Sequence, residues 1–318
     1  MVGGRARLRQ LGALEPVRDL VDHVAFALRR LARHHTSEDS KAAAISVLRH
    51  AADRLDATLF GPFARQLEGR ALVVIPTGPL QSLPWSILRS CAGRPVTVAP
   101  SAALWYAAQR RESQTQGRVT VACGPGLPGA RAEAEAVAAI YRTTALVGSA
   151  ATVDAVTERL SQANLVHLAA HGHVRADNPL FSSLRLADGP LTVFDLERLE
   201  RVAPTLVLAA CDSGRPVVCT GDELLGFGAS LLSLGAQQLV GSVVPIPDAE
   251  TAPLMVAFHR QLADGQHVAG ALSQAQRELA TEEGKAAAAA AGFICIGAGM
   301  KAPATALAAT RSPAGKPG

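Results

Sequence analysis

Two residues in the middle of the chain could do chemistry together if the fold brought them side by side. His171 is followed by a glycine and Cys211 by an aspartate, and each ends a short apolar run, Leu165 to Ala170 and Thr205 to Ala210. A cysteine attacks a carbonyl as its thiolate, but a free thiol titrates at about 8.5 and is mostly protonated at neutral pH. An imidazole can take that proton and later give it to a leaving amine. The two side chains therefore indicate nucleophilic catalysis.

The two apolar runs indicate how the fold could bring these residues together. Both runs are continuous rather than alternating, which is typical of strands buried on both faces of a parallel sheet. Catalytic groups of such sheets gather at the carboxyl ends of the strands. The segment LTVFDLERLE, residues 191–200, can supply the crossover helix that parallel neighbours require. We therefore expect adjacent parallel strands ending at Ala170 and Ala210, with His171 and Cys211 facing each other across a cleft.

The motifs around these residues resemble the CHAT domain, a bacterial relative of the caspases and of separase. The resemblance rests on AAHG and LVLAACDSG, with NPLFSSLRLADGPLT between them, and extends from about Leu55 to Gly297. It implies a caspase-like α/β/α sandwich with a mostly parallel central sheet and an N-terminal helical extension. It also implies a cysteine endopeptidase whose dyad is His171 and Cys211. The backbone amides of Gly172 and Cys211 would then be the oxyanion donors.

The resemblance carries expectations about partners as well. It implies cleavage of a specific protein substrate without any cofactor. It also implies a TPR-containing or other regulatory partner, because CHAT domains often follow TPR arrays. A different class of function stays open, namely a catalytically silent CHAT module that binds partners in a signalling or defence assembly. The intact dyad favours the enzyme. Two departures from the family favour the silent module: Val244 stands where Trp is usual, and no W-x-x-F segment precedes FICIG.

Acidic residues near the cysteine could form a pocket for a basic side chain before the scissile bond. Asp212 adjoins the cysteine, and Asp222 and Glu223 follow a short loop further on. Asp212 could equally hydrogen-bond a neighbouring loop. His173 either lines the mouth of the site or is simply exposed. A metal held by His171 and His173 lacks a third ligand in the sequence, so we expect no metal.

Two other residues with reactive side chains are interpreted differently. His167 lies inside the apolar run, which predicts a hydrogen-bonded core histidine. Cys219 lies in a predicted loop, with no preceding strand to fix it and no histidine aimed at it. We therefore expect neither residue to be catalytic.

Three glycines after the segment RVTVAC have the spacing of a dinucleotide-binding loop. Gly124, Gly126 and Gly129 lie between a predicted strand and a predicted helix, the usual context of that motif. However, Pro125 and Pro128 remove amide donors, and the next predicted strand, TTALVG, has no acidic end residue to hold a ribose. The sequence therefore disfavours a nucleotide. The family instead has a loop and a helix with an A-x-x-E-A motif, matched by Ala130, Glu133 and Ala134.

The composition favours a folded protein in a reducing compartment. Of the 318 residues, 48% are hydrophobic and 18% charged, outside the range of disordered chains. A net charge of +4 with 4% aromatic residues disfavours nucleic-acid binding. The five cysteines form no C-x-x-C pair and favour neither a disulfide framework nor a zinc site. Without an apolar window of membrane-spanning length, we expect a cytoplasmic protein with no membrane partner.

Periodicity predicts the organisation along the chain. It predicts two amphipathic helices, one over Pro16–His34 and one from an N-cap at Ser37 to Leu59. After them it predicts buried strands in the segments ALVVIP, PVTVAPS, RVTVAC, QQLVGSVVPIPD and FICIG. Trp85 is predicted to be a core residue. We predict a helical extension over 1–54, a caspase-like peptidase domain over 55–299 and a disordered tail over 300–318.

Overall fold

The computed structural model describes most of the chain. The described residues are 6–33, 36–112, 117–127, 129–173, 175, 178–199, 201–209, 228–244, 250–280 and 285–303. Several predicted features therefore lie outside them, namely the strand end at Ala210, the helix start at Asp222, most of the tail, and the residues Cys211, Asp212 and Cys219.

The strands form two sheets. Numbered in chain order, they are β1 Leu72–Val74, β2 Val96–Val98, β3 Val119–Cys123, β4 Leu165–Ala169, β5 Gly172–His173, β6 Ser183–Arg185, β7 Pro190–Thr192, β8 Thr205–Leu208, β9 Gln238–Ser242 and β10 Phe293–Gly297. The larger sheet has seven strands in the order β1-β2-β10-β9-β8-β4-β3. Its neighbours are parallel except for the β9–β10 pair. The predicted mostly parallel α/β architecture is confirmed.

The central strands are short and apolar because both of their faces are covered. Every residue of β4, β8, β9 and β10 is buried. β4 and β8 are parallel neighbours in the register that pairs Leu168 with Leu208, which confirms the predicted adjacency of the two apolar runs. The carboxyl ends of these two strands consequently lie at the same edge of the sheet.

The helices surround this sheet. They are α1 Glu15–Leu31, α2 Glu38–Leu59, α3 Ala64–Leu67, α4 Ala102–Arg110, α5 Ala130–Ile140, α6 Val153–Gln162, α7 Val193–Glu197, α8 Ala252–Ala263, α9 Val268–Leu279 and α10 Lys285–Gly292. α1 and α2 pack against each other, and the Ser37 side chain accepts a hydrogen bond from Ser40 N at the start of α2, as predicted. No helix among the described residues is both long and apolar enough to cross a membrane.

Two expectations about secondary structure were wrong. The segment predicted as a crossover helix supplies only the short α7, because Leu191 and Thr192 belong to β7. β5, β6 and β7 form a small antiparallel sheet between β4 and β8 in the chain. The segment TTALVG is not a strand, since only Leu146 pairs, in a single bridge to Ala122.

The core places Trp85 as expected. Its side chain is 3% exposed, and Phe60 meets it edge to face with 6.1 Å between the ring centroids. Its position makes it a packing residue between the N-terminal helices and the segments that follow β1.

Candidate functional site

His171 lies two residues beyond β4, at the carboxyl edge of the large sheet. Its imidazole is half-buried, and its Nε2 lies 3.3 Å from the carbonyl oxygen of Gly126. Its own carbonyl oxygen accepts a hydrogen bond from Arg185 N at 2.8 Å. The β3–α5 loop therefore holds the ring of His171, and the small sheet holds its backbone.

The Gly126 contact determines which ring nitrogen can act as a base. A neutral imidazole carries its proton on one nitrogen and a lone pair on the other. When Nε2–H donates to the Gly126 carbonyl, the lone pair lies on Nδ1. His171 held in this way offers Nδ1 as the proton acceptor.

The glycines of this loop are needed because the loop lies against the end of β4. Gly126 has a φ of +81°, and a Cβ built on it would lie 3.3 Å from Nε2 of His171. A Cβ on Gly124 would lie 2.3 Å from the carbonyl oxygen of Arg185 and 2.9 Å from Cβ of Ala170. The spacing that mimics a phosphate-binding loop thus serves close backbone packing beside His171. Sequence analysis missed this role, for which the paired glycines and prolines were the available signal.

β8 leads towards the predicted nucleophile. Ala209 N donates to the carbonyl oxygen of Leu168 at 3.0 Å, so the two chain segments remain in register one residue beyond β8. Both segments then reach the carboxyl edge of the sheet together. Cys211 itself lies two residues further on, outside the described residues, as do Asp212 and Asp222.

Gly172 is oriented by the small sheet. Because Arg185 N binds the carbonyl oxygen of His171, Gly172 and Leu184 form a non-hydrogen-bonded pair of the antiparallel ladder. The N–H of Gly172 therefore points away from β6, towards the open side of β5, which is the edge strand of this sheet. His173 pairs with Ser183 and is exposed.

A cluster of buried polar side chains lies under the middle of β4. We name Glu133, His167, His259 and Tyr141 the buried relay; their exposed fractions are 1%, 0%, 0% and 9%. The relay links three elements, because Glu133 belongs to α5, His167 to β4 and His259 to α8, while Tyr141 directly follows α5. His167 is thus the core histidine that the sequence predicted.

The side chains of the relay contact one another in the spatial order Glu133, His167, His259 and Tyr141. Nε2 of His167 lies 3.1 Å from Oε1 of Glu133, and neither atom has another hydrogen-bonding partner among the described residues. Nδ1 of His167 lies 3.1 Å from Nε2 of His259. The Tyr141 hydroxyl lies 3.0 Å from Nδ1 of His259 and 3.2 Å from the carbonyl oxygen of the same residue. Thr251 Oγ1 donates to the second oxygen of Glu133.

Burial shifts the pKa of two relay members, His259 and Tyr141. Desolvation, with the charge of His167 as the second cause, holds the pKa of His259 well below its usual 6.5. Desolvation likewise raises the pKa of Tyr141 far above its usual range, so its hydroxyl stays protonated. No group of three or more His, Cys, Asp or Glu side chains within the described ranges could hold a metal ion. The sequence matched Glu133 to a family motif but gave it no role, and His259 gave no signal.

Val244 follows β9 and is 6% exposed. Its backbone N–H donates to Ser242 Oγ at 3.2 Å, and its carbonyl oxygen accepts from the same hydroxyl at 2.7 Å. This departure from the family's usual Trp is therefore packed inside the protein.

Comparisons with known proteins agree with this architecture. A model of the CHAT domain family matches residues 49–298, more than half of the chain. Tetratricopeptide repeat protein 28 of Homo sapiens is 26% identical over an alignment of 217 residues, and the match covers 56% of this chain and 9% of that protein.

Solved structures share the fold. Separase of Saccharomyces cerevisiae, in its complex with securin, superimposes with a TM-score of 0.51 at 13% identity, covering 89% of this chain and 22% of that one. RgpB of Porphyromonas gingivalis, in the complex of its pro- and mature domains, has a TM-score of 0.54 at 10% identity, covering 91% and 77%. The Arg-specific cysteine proteinase gingipain R has a TM-score of 0.50 at 12% identity, covering 91% and 76%. The fold is the caspase-like one of these structures, and the chain belongs to the CHAT domain family.

Proposed function

We propose that this protein is a cysteine endopeptidase that cleaves a specific protein partner with His171 as base and Cys211 as nucleophile. The observation that carries the proposal is the position of His171. It stands at the carboxyl edge of β4 with Nε2 turned to the Gly126 carbonyl, while the parallel neighbour β8 runs towards Cys211. Nδ1 is then available to a group at the end of β8.

The proposed reaction needs only these two side chains and water. Nδ1 of His171 takes the proton of the Cys211 thiol, and the thiolate sulfur forms a bond to the peptide carbonyl carbon. When the tetrahedral intermediate collapses, the C–N bond breaks and the imidazolium gives its proton to the leaving amine. Water, deprotonated by the same imidazole, then hydrolyses the thioester and frees the thiol.

The oxyanion of the intermediate would be bound by the backbone amides of Gly172 and Cys211. The direction of the Gly172 N–H, away from β6, supports this assignment for the first donor. Backbone amides suit the task because they are fixed before the reaction begins, and losing one such donor typically costs about 100- to 1000-fold in turnover.

We further propose that Asp212 and Asp222 select a basic side chain before the scissile bond, with exposed His173 at the mouth of the pocket. Opposite charges on the pocket and on the side chain would give this preference. Peptide electrophiles with Lys and with norleucine, the uncharged analogue that lacks the terminal amino group, at that position should therefore label Cys211 at different rates, the Lys probe faster. Equal rates would contradict the acidic pocket.

The test of the function is co-expression with proteins encoded near this gene. Wild-type protein should cut one of them at a single site, and Cys211→Ala and His171→Ala should not, while both variants keep the wild-type melting temperature to within the few degrees that correspond to about 1 kcal/mol. Cys219→Ser is the matched control and should cleave normally. Cleavage that persists in Cys211→Ala would show that another residue or another protein is responsible.

One observation favours a second candidate, a silent CHAT module in a signalling or defence assembly. The human relative is named for tetratricopeptide repeats, which fits a TPR-containing partner for a chain like this one. In that case a TPR-containing partner would co-purify with the wild type and with Cys211→Ala equally, and no cleavage would occur. For either function we propose a reducing compartment such as the cytoplasm, because Cys91 and Cys295 are buried free thiols.

A further inference from the structure

The buried relay can be assigned a complete set of proton positions. With Glu133 ionised and both imidazoles neutral, Tyr141 donates to Nδ1 of His259, Nε2–H of His259 donates to Nδ1 of His167, and Nε2–H of His167 points at the Glu133 carboxylate. Thr251 satisfies the other carboxylate oxygen. All donors then point towards one carboxylate, and the relay carries one negative charge.

The same side chains can also hold one additional proton. His167 then carries both of its protons, Nδ1–H donates to Nε2 of His259, and the proton of His259 moves to Nδ1, which faces the Tyr141 oxygen. The Tyr141 hydroxyl in turn donates to the carbonyl oxygen of His259, 3.2 Å away. This state has one hydrogen bond more than the first, and its net charge is zero because the imidazolium faces the carboxylate.

A second additional proton cannot be accommodated. With both imidazoles doubly protonated, two N–H groups would face each other across the 3.1 Å gap between the rings.

Within the described part of the chain, the surroundings of the relay offer no other titratable side chain beside His167. The other side chains that flank His167 on the neighbouring strands, Val121 and Val207, are apolar. Among the described residues, the buried side chains of acidic or basic type are Glu133, His167 and His259, and the buried thiol Cys123 lies further along β3.

The relay touches both elements that hold His171. His167 lies on β4, four residues before His171, and Glu133 lies in the first turn of α5, directly after the loop that contains Gly126. Ala130 N at the start of α5 donates to the carbonyl oxygen of Leu127 at 3.3 Å, which joins the helix to that loop. A shift of Glu133 relative to His167 would therefore change the distance between Gly126 and His171.

We infer that the buried relay is a positioning device that can hold one proton and that fixes β4 against the β3–α5 loop, so that Nε2 of His171 stays on the Gly126 carbonyl. The catalytic part of this inference rests on the proposed peptidase function. Its four members are positioning residues, since none of them reaches the reacting atoms. Loss of the Glu133 charge removes the one-proton state, because the doubly protonated His167 ring then has no carboxylate to neutralise its positive charge.

The test uses nitrogen-15 NMR of the histidine rings in the full chain, with Glu133→Gln as the variant. The substituted amide keeps the shape and two polar atoms of the side chain but carries no charge. In wild type, acidification should move the proton of neutral His259 from Nε2 to Nδ1, a change of tautomer without a change of its charge. In Glu133→Gln that change should be absent, and the Nε2 signal of His171 should shift because its contact with Gly126 alters. Glu135→Gln, at an exposed position of the same helix, should match wild type in both respects.

Labelling of Cys211 by a peptide electrophile gives the second readout. A misplacement of a catalytic group by about 1 Å can lower a reaction rate about 100-fold. Cys211 in the Glu133→Gln variant should therefore be labelled at least about tenfold more slowly than Cys211 in the Glu135→Gln variant. If Glu133→Gln does not fold, Tyr141→Phe should still block the tautomer change of His259, because it removes the oxygen that accepts from Nδ1–H of His259 in the one-proton state. A wild-type His259 ring that keeps one tautomer throughout the acid titration would overturn the relay. Wild-type protein that is never labelled would overturn the peptidase function, while the ring signals of His171 would still decide whether the relay positions it.

Discussion

At the scale of single residues, Gly126 combines two requirements in one position. Its backbone has a φ of +81°, and its missing side chain leaves room for the His171 ring. Gly126→Ala should lower the unfolding free energy by about 1–2 kcal/mol, the cost of a left-handed conformation for an L-residue. It should also slow electrophile labelling of Cys211, because the new methyl group pushes on Nε2.

A matched control separates these two effects. Gly265 has a φ of +90° with no atom within 4 Å of a built Cβ. Gly265→Ala should therefore show a similar loss of stability in chemical denaturation but normal labelling. Equal labelling of the two variants would contradict a positioning role for Gly126.

The two histidines of the β4 segment should respond oppositely to truncation. His167→Ala leaves Glu133 as a buried charge without its partner, a change that typically costs about 3–5 kcal/mol. His171 is half-buried at the edge of the sheet, so His171→Ala should change stability little and lower labelling by about 100-fold or more. Thermal melts beside labelling rates measure both quantities, and a fully active His171→Ala would refute the assigned base.

The cysteines should differ in reactivity according to their surroundings. Burial raises the pKa of Cys91 to about 12, with the nearby Asp56 adding to the effect. Burial raises the pKa of Cys295 to about 12 as well, against a smaller opposite effect of the Thr97 hydrogen bond. Both should resist iodoacetamide in the folded protein under mildly alkaline conditions.

A substrate-like electrophile should instead label Cys211, depend on His171 and be indifferent to Cys219→Ser. Mass spectrometry of labelled peptides identifies the modified residue. Labelling of Cys219 by this probe, with Cys211 unmodified, would make the silent module the better interpretation.

At the scale of elements, the small sheet β5–β6–β7 is the support of Gly172. It is closed by α7, where Thr192 and Asp195 form a capping box: Asp195 N donates to Thr192 Oγ1 at 3.1 Å, and Thr192 N donates to the Asp195 carboxylate at 2.8 Å. Thr192→Ala should cost about 1 kcal/mol in stability. It should also slow labelling of Cys211, because β7 holds the sheet that orients the Gly172 amide.

Ser101→Ala provides the comparison for this prediction. Ser101 caps α4 by accepting from Leu104 N at 3.2 Å, on a helix that packs against β10. This variant should lose a similar amount of stability with no effect on the labelling rate. If both variants label alike, the small sheet does not support the site.

Sequence patterns predicted the buried strands well and the small sheet poorly. Continuous apolar runs identify β4, β8 and β10 because both faces of these strands are covered. β5, β6 and β7 contain two or three residues each, too few for any periodicity to appear. The available signal was the Asp188-Gly189 pair, which marks the turn between β6 and β7. The position of His171 beyond the end of β4 was thus predictable, whereas the small sheet that holds its backbone was not.

The relay was unpredictable for a different reason. His259 lies 92 residues from His167 in sequence, and neither its neighbours nor its helix period indicates a polar partner. The two rings meet because α8 packs against α5, which in turn packs against β4. A buried polar contact between two elements far apart in the chain depends on how those elements pack. Residue composition and short-range spacing in the sequence do not show that packing.

At the scale of the whole molecule, the stability should depend on pH through His259. Its pKa in the folded protein is held well below 6.5, so below pH 6.5 the unfolded chain binds a proton that the folded protein does not. The contribution of neutral His259 to the free energy of unfolding is therefore fully present above pH 6.5. It falls by about 1.4 kcal/mol for each pH unit as the pH drops from 6.5 towards the pKa of His259 in the folded protein.

Melting temperatures measured on both sides of pH 6.5, the usual pKa of the His259 side chain, check this dependence. Wild type should melt at lower temperature as the pH falls below that value. His259→Gln should be less stable at neutral pH, but its melting temperature should fall less steeply on acidification. Parallel pH profiles of the two proteins would show that another group controls acid stability.

The strand β10 has a consequence for how the protein is made. β1 and β2 reach the rest of the sheet only through β10, the last strand of the described chain. At roughly 5–20 residues per second, a ribosome needs about 10–40 s to pass from β2 to β10. During that interval the first two strands form at most a marginal pair with an uncovered apolar face. The nascent chain is then most open to chaperones and to aggregation, so its yield should depend on the speed of translation through the long segment between β2 and β10.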